Sequence, residues 1–389
     1  MNQWNALLDA LPQTPDEPIR WDAITRTAYG AFAADLEKTP QNPRWHGEGN
    51  VWNHTRMVCE QLVTLPAYRE ERLPVRQLLF LAALLHDIGK ISCTVLEDGE
   101  WTSPNHAIVG ARMARRFLWV DCGLCGTPQK QQLRETICLL VRYHMIPTRV
   151  LEGKAPELRL SKIASNGQPL PLFTLARLCT LSQADVLGRM ADDTGESAEK
   201  VALAALAAEE ADCLHGPRPF ATAHTARAYL SGRNVWPGQT LFDDAWGEVI
   251  LLCGLPGTGK DTWIARHCPG LPMVSLDSLR ASMGISPTAS QGPVVQAGQE
   301  KCREYLRAHR PFVYNATNLT FSIRAGLVKL FESYGASVRI VYLETPWQEQ
   351  LRRNQSRAAV VPESAIGRML DKLSPPEGYE ARQVEYWCV

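Results

Sequence analysis

The chain has 389 residues, enough for two or three domains. Its 41 Lys+Arg balance its 41 Asp+Glu, which argues against a broadly basic nucleic-acid coat but not against a local basic groove. The 11 cysteines are scattered, with Cys122 and Cys125 the one Cys-x-x-Cys spacing, and read as reduced thiols of a cytoplasmic protein.

The opening Met1-Asn2-Gln3-Trp4 has no basic and apolar leader pattern, so no signal peptide is expected. Residues 1–48 show short helical patterns, several tryptophans and no motif. From Asn50 the pattern is helical for most of 150 residues, in segments near 51–63, 75–90, 105–120, 129–145 and 172–190 with apolar spacings of three and four. No alternating strand pattern stands out there. Apolar runs such as Leu78 to Leu85 are too short to span a membrane. An Ala-rich helix follows Gly195. Residues 216–248 are broken by Gly216, Pro217, Pro219, Gly232, Pro237 and Gly238. Beyond them, apolar runs at 249–253, 271–275, 311–315 and 338–343 alternate with helical stretches, the signature of a parallel α/β sheet. The expected organisation is an all-α domain over 1–215, a linker over 216–248 and an α/β domain over 249–389.

In the helical half, His86-Asp87 closes an apolar helix, His54 lies upstream and Asp185 downstream. Such residues on separate helices can converge in a bundle core, and mixed imidazole and carboxylate ligands suit Mn, Fe, Co, Ni or Zn. A helix-end cap or surface contact is the plainer alternative for His86-Asp87. The set resembles the HD phosphohydrolase superfamily over roughly residues 45–190. That resemblance implies a helical HD-type fold and metal binding by His54, His86, Asp87 and Asp185. His106, in the His-x-x-x-Gly-Ala segment 106–111, and His144 fit the family's extended pattern. They imply a second metal bridged by Asp87, against structural or substrate-contacting roles. Lys90 is expected near the site, where it would neutralise a substrate phosphate, or else as an ordinary helix-end lysine.

In the second half, Val249 to Cys253 reads as a buried strand and Thr262 onward as a helix. Between them Gly254, Pro256, Gly257, Thr258, Gly259, Lys260, Asp261 and Thr262 make a phosphate-cradling loop: glycines allow close approach and the helix N-terminus supplies unpaired N–H groups. Lys260 is expected on the β- and γ-phosphates of ATP or another NTP. Asp261 stands where the usual pattern has Ser or Thr, so a carboxylate replaces the hydroxyl expected on Mg²⁺. A chance Gly-rich turn is the alternative, disfavoured by the strand and helix around it.

Asp277 follows the second apolar run, where strand ends line the ligand crevice. It is expected as general base toward an attacking hydroxyl, with a helix N-cap as its alternative. Arg280 is placed to grip an acceptor phosphate. Arg353 and Arg357, at i and i+4, are expected on a helical lid over the loop, or on a solvated basic face. Asn315 to Asn318 ends another strand and is expected at the crevice.

The loop, Asp277-x-x-Arg280, the Arg353/Arg357 pair and the segment Pro375 to Glu380 resemble 5′-OH polynucleotide kinases of the phage and bacterial RNA-repair type. An HD domain ahead of such a kinase resembles the bacterial HD–polynucleotide kinase family of end-healing enzymes. The resemblance implies 5′-OH phosphorylation and removal of 2′,3′-cyclic, 2′- or 3′-phosphates. The expected partners are an NTP, nucleic-acid ends (RNA ahead of DNA) and, as one option, a second copy in a homodimer. Two other readings stay open: a small-molecule kinase fused to a nucleotide phosphohydrolase, and a nucleotide-sensing regulator.

Overall fold

The computed structural model describes residues 3–357 and 359–389, so Met1 and Asn2 of the leader reading lie outside the described residues. The chain divides into two compact units, Met1–Pro219 and Phe220–Val389.

The first unit is a helical domain. At its centre lies the helix Leu73–Leu85, buried without interruption from Leu78 to Leu85. A helix apolar on every side is stable only when surrounded. The helices Val51–Leu62, Pro128–Tyr143 and Leu175–Leu187 do that by packing against it. Each begins at a polar cap: Asn50, Thr127 and Thr174 accept from the backbone N–H three residues on, which satisfies a donor that the helix leaves unpaired. The helix His106–Arg116 lies along Pro128–Tyr143. A buried ion triad joins those two, with Glu135 accepting from Arg115 at 2.9 Å and from Arg134 at 2.9 Å. Removing one partner of such a buried set costs about 3–5 kcal/mol, because it strands the remaining charge.

Helices form at all five expected segments, but the half is not purely helical. Val95–Glu97 (β1) and Glu100–Thr102 (β2) make an antiparallel hairpin that the periodicity did not suggest. Its two-residue turn is Asp98-Gly99, both at positive φ, the chemistry of a tight hairpin turn. No helix among the described residues is long and apolar enough to cross a membrane.

The second unit is an α/β domain with a five-stranded parallel sheet. Its strands are Glu248–Cys253 (β3), Met273–Ser275 (β4), Phe312–Asn315 (β5), Ser337–Glu344 (β6) and Gln383–Cys388 (β7), in the order β4-β5-β3-β6-β7. The four expected strands are present, and β7 is an addition at the edge next to β6. The central strand β3 is buried from Val249 to Cys253 and pairs on both sides, Leu251 lying opposite Tyr314 and Ile340. Its C-terminal end delivers the glycine loop to the middle of the sheet. Arg324 and Glu380 form a buried two-pronged pair at 2.7 Å, and Arg324 also donates to the carbonyl of Ser374. This pair pins the 375–380 segment.

Candidate active sites

In the helical domain the chain brings His54, His86, Asp87, His106, His144 and Asp185 together. Close backbone contact makes this geometry. A Cβ on Gly89 would lie 2.0 Å from the carbonyl oxygen of His106 and 2.6 Å from the nitrogen of Gly110. Only glycine at 89 lets the first turn of His106–Arg116 dock so closely that His106 Nε2 comes within 3.3 Å of Asp87 Oδ1. Gly188 plays the same part at the other end: a Cβ there would lie 2.6 Å from the Val58 backbone.

The four imidazoles share one arrangement. Nδ1 of His86, His106 and His144 lies 2.7, 2.8 and 2.7 Å from the carbonyls of Ala83, Ser103 and Val141, and Nδ1 of His54 lies 3.2 Å from that of Gly188. A carbonyl only accepts, so Nδ1 carries the hydrogen, and in the neutral ring Nε2 turns its lone pair inward. His54 Nε2 lies 3.0 Å from Asp185 Oδ1, His86 Nε2 lies 3.2 Å from Asp87 Oδ2, and the two Nε2 atoms are 3.3 Å apart. His144 Nε2 lies 3.9 Å from Asp87 Oδ1 and 4.0 Å from Asp185 Oδ2. Buried Asp87 Oδ1 has no hydrogen-bond donor. Inward lone pairs, two carboxylates and an orphaned buried oxygen are the donor set of a cation site. Donors group around Asp87 in two sets, one with His54 and His86 and one with His106 and His144.

The charges follow. Burial would raise the Asp87 carboxyl, but Lys90 and His86 hold it well below the usual carboxylate range. Asp185 is likewise held low against burial, by His54 and His86. Burial disfavours charge on His54, yet its bonds to Asp185 and Glu48 outweigh that and lift it to about 9. At neutral pH that imidazole therefore carries a proton where a metal would bind, and metal binding would displace it. Burial pushes His144 down to about 4, leaving it neutral. Lys90 is buried, its ammonium donating to Asp87 at 2.7 Å and to Gln41 at 2.8 Å.

Sequence reasoning missed one neighbour of this cluster. Glu48, its side chain buried, lies 3.1 Å from His54 Nδ1 and 2.8 Å from His46 Nδ1. A carboxylate behind a ligating imidazole fixes its tautomer and raises its basicity. The only trace in the sequence is a His and a Glu six to eight residues ahead of His54, in a stretch with no regular spacing.

In the α/β domain, the loop after β3 has Gly254, Gly257 and Gly259 at positive φ. A Cβ on Gly254 would lie 2.4 Å from the Leu343 carbonyl, and one on Gly257 would lie 3.1 Å from that of Gln350. The loop is thus clasped between β6 and the helix Trp347–Gln355, and Gln350 donates to the Pro256 carbonyl at 3.1 Å. Leu255 is buried beneath it, and Thr258 donates inward to the Leu255 carbonyl at 2.9 Å. Gly259 caps the helix Lys260–His267, whose first residues include Asp261 and Thr262. Lys260 Nζ folds back on the carbonyls of Gly254 and Leu255, at 3.0 and 2.9 Å. Burial lowers its pKa from the usual lysine value to about 8.

Asp261 accepts from the Asn315 amide at 2.6 Å, which sets its carboxylate at the end of β5. Asn318 instead turns to the Leu252 carbonyl. Asp277 is not the cap of its helix: Ser275 accepts from Ser278 N and does that work. The Asp277 carboxylate meets Arg280 at 2.6 Å and Arg357 at 3.8 Å, with 70% of its side chain exposed. Arg280 is also held by Gln291 at 2.7 Å. Arg353 is anchored by Glu349 at 2.7 Å and lies 3.4 Å from where a Gly259 Cβ would sit. Arg357 differs from expectation. The helix ends at Gln355, so Arg357 sits in the turn beyond it and not one helical turn above Arg353.

Comparison with known proteins agrees with this division. The HD domain model matches residues 51–166 and the AAA domain model matches residues 249–376. The chain therefore joins an HD domain to a P-loop kinase-like domain. A P-loop kinase implies an NTP with Mg²⁺, and an HD domain implies a divalent metal. Heterogeneous nuclear ribonucleoprotein U-like protein 2 from mouse and from human is 25% identical over 179 residues, 41% of this chain and 24% of theirs. The chain thus spans about a quarter of those relatives' length. Among solved structures, a putative kinase from Chloroflexus aurantiacus is 13% identical, covering 37% of this chain and 86% of its own, with a TM-score of 0.32. A chain of the Pnkp1/Rnl/Hen1 complex is 17% identical, covering 33% of this chain and 44% of its own, with a TM-score of 0.27.

Proposed function

We propose that the protein is a bifunctional nucleic-acid end-healing enzyme. Residues 249–389 would be an NTP-dependent 5′-hydroxyl polynucleotide kinase, and residues 1–215, joined through 216–248, a metal-dependent hydrolase of 2′,3′-cyclic, 2′- or 3′-phosphates. One observation carries it: a chain with two phosphate-directed sites presents its acceptor carboxylate, Asp277, in the open. An open approach suits a polynucleotide end better than a metabolite, which needs enclosure.

In the kinase, the glycine loop and Lys260 hold the β- and γ-phosphates. Asp277 takes the proton of the 5′-hydroxyl as its oxygen bonds to the γ-phosphorus and the bond to the nucleoside diphosphate breaks. Arg353 and Arg357 neutralise the charge on the transferring group, Arg280 orients the acceptor, and Asp261, set by Asn315, would hold Mg²⁺. In the hydrolase, His54, His86, Asp87 and Asp185 would hold one ion of the Mn, Fe, Co, Ni or Zn class, and Asp87 with His106 and His144 a second. Bound there, the metal supplies Lewis-acid activation of the phosphate and of water. Lys90 holds Asp87 ionised and in register.

The test is an RNA with a 5′-hydroxyl and a 2′,3′-cyclic phosphate, incubated with ATP, Mg²⁺ and Mn²⁺ or Ni²⁺. The expected product has a 5′-phosphate and an opened, then dephosphorylated, 3′ end. If both ends persist while small metabolites are phosphorylated, the proposal is wrong.

A further inference from the structure

The cleft above the His/Asp cluster has a volume of about 330 Å³. That is near the small end of the ~300–1,000 Å³ typical of small-molecule sites, and enough for one nucleotide unit. Its floor is the donor set around Asp87. Two of its walls are tryptophans from separate segments: Trp45, in the loop before Val51–Leu62, and Trp101, in β2.

Neither tryptophan is explained by the core. Trp45 is 39% exposed, with the Arg44 guanidinium 4.7 Å from its ring centre. Trp101 sits on a hairpin of six strand residues, none of them buried. A hairpin with no buried residue contributes little to the fold's stability, yet this one brings an indole to the cleft. Its tip is tied to the Trp45 loop, Asn42 donating to Glu100 at 3.2 Å. Two large apolar rings left partly in water beside a phosphate-directed floor match a ligand that joins a planar base to a phosphate. Aromatic side chains stack on bases of any identity.

We propose that Trp101 and Trp45 form a stacking subsite for the base of the terminal nucleotide whose phosphate is hydrolysed at the Asp87 cluster. This rests on the hydrolase reading above and deepens it. The substrate class is a nucleotide end, not a sugar phosphate or a phosphopeptide, and all four bases are accepted.

The experiment compares RNA ending in adenosine 2′,3′-cyclic phosphate with the same RNA ending in an abasic 2′,3′-cyclic phosphate, for the wild type, Trp101→Ala, Trp45→Ala and Trp101→Phe. The metal content of each variant serves as the folding control. With the base present, Trp101→Ala should lower kcat/KM by about tenfold to hundredfold, mostly through KM, and Trp45→Ala by less. On the abasic end both should stay within about twofold of wild type, and Trp101→Phe should recover most of the loss. Calorimetric titration with adenosine 3′-phosphorothioate should show the same weakening. Equal losses on both ends, or none on either, in metal-loaded variants would overturn the subsite while leaving the hydrolase standing. A wild type that opens neither end would overturn the hydrolase reading and the subsite with it.

Discussion

The two sites solve opposite problems. The hydrolytic cluster is buried and prepared at the floor of its cleft: His54, His86, Asp87 and His144 are almost wholly buried, and the Nδ1 hydrogens of its four imidazoles, His106 included, are held by backbone carbonyls. The kinase site is open and self-paired, with Lys260 folded onto its own loop and Asp277 between two arginines. A metal centre must exclude rival ligands and hold its geometry, so its residues are fixed by packing. A nucleotide kinase must admit and release two substrates, so its charges rest on one another until phosphates replace those contacts. The same type of residue is thus a fixed donor in one half and a movable one in the other.

That contrast can be broken by substitution. The largest effect belongs to Asp277→Asn. Because Ser275 caps the helix, the change should leave folding and ATP binding intact while lowering the phosphorylation rate by about 10²–10⁴-fold. A variant with normal turnover, measured by radiolabel transfer, would reduce Asp277 to a surface partner of Arg280. In the closed site, Glu48→Ala should weaken metal affinity by about 10–100-fold, read by competition with a chelator, without touching kinase activity. Unchanged affinity would mean that the Gly188 carbonyl alone orients His54. The smallest effect is in pH. Lys260 titrates near 8 in the free site, and bound phosphates favour its charged form. Nucleotide affinity should therefore be level below pH 8 and fall above it, by up to about tenfold per unit, as binding must then take up a proton. An affinity flat from pH 7 to 9.5 would mean that Lys260 stays charged in the free protein.

Much of this was legible in the sequence because the chemistry needs particular residue types at short range. Gly254 to Gly259 lies between a strand and a helix, and His86-Asp87 follows an apolar helix. What escaped depends on contacts between distant residues or on short elements. The Glu48–His54 contact joins a loop to a helix face, which no periodicity encodes. Strands β1 and β2 are three residues each, too short for alternation to register, although Asp98-Gly99 was a usable turn signal. Strand β7 escapes the sequence because at the sheet edge it buries only Val384, so its apolar pattern is weak. Helical spacing puts Arg357 one turn above Arg353, but the helix stops at Gln355.

In the proposed function, one chain carries two chemistries that do not need each other. The direct measurement is both activities, on one RNA bearing a 5′-hydroxyl and a 2′,3′-cyclic phosphate, for Lys260→Ala and Asp87→Ala. Lys260→Ala should lose 5′ phosphorylation by about 10²–10³-fold and keep the hydrolase, while Asp87→Ala should lose bound metal and hydrolysis and keep the kinase. If either substitution silences both activities in a folded protein, the two sites are obligately coupled and the account is wrong.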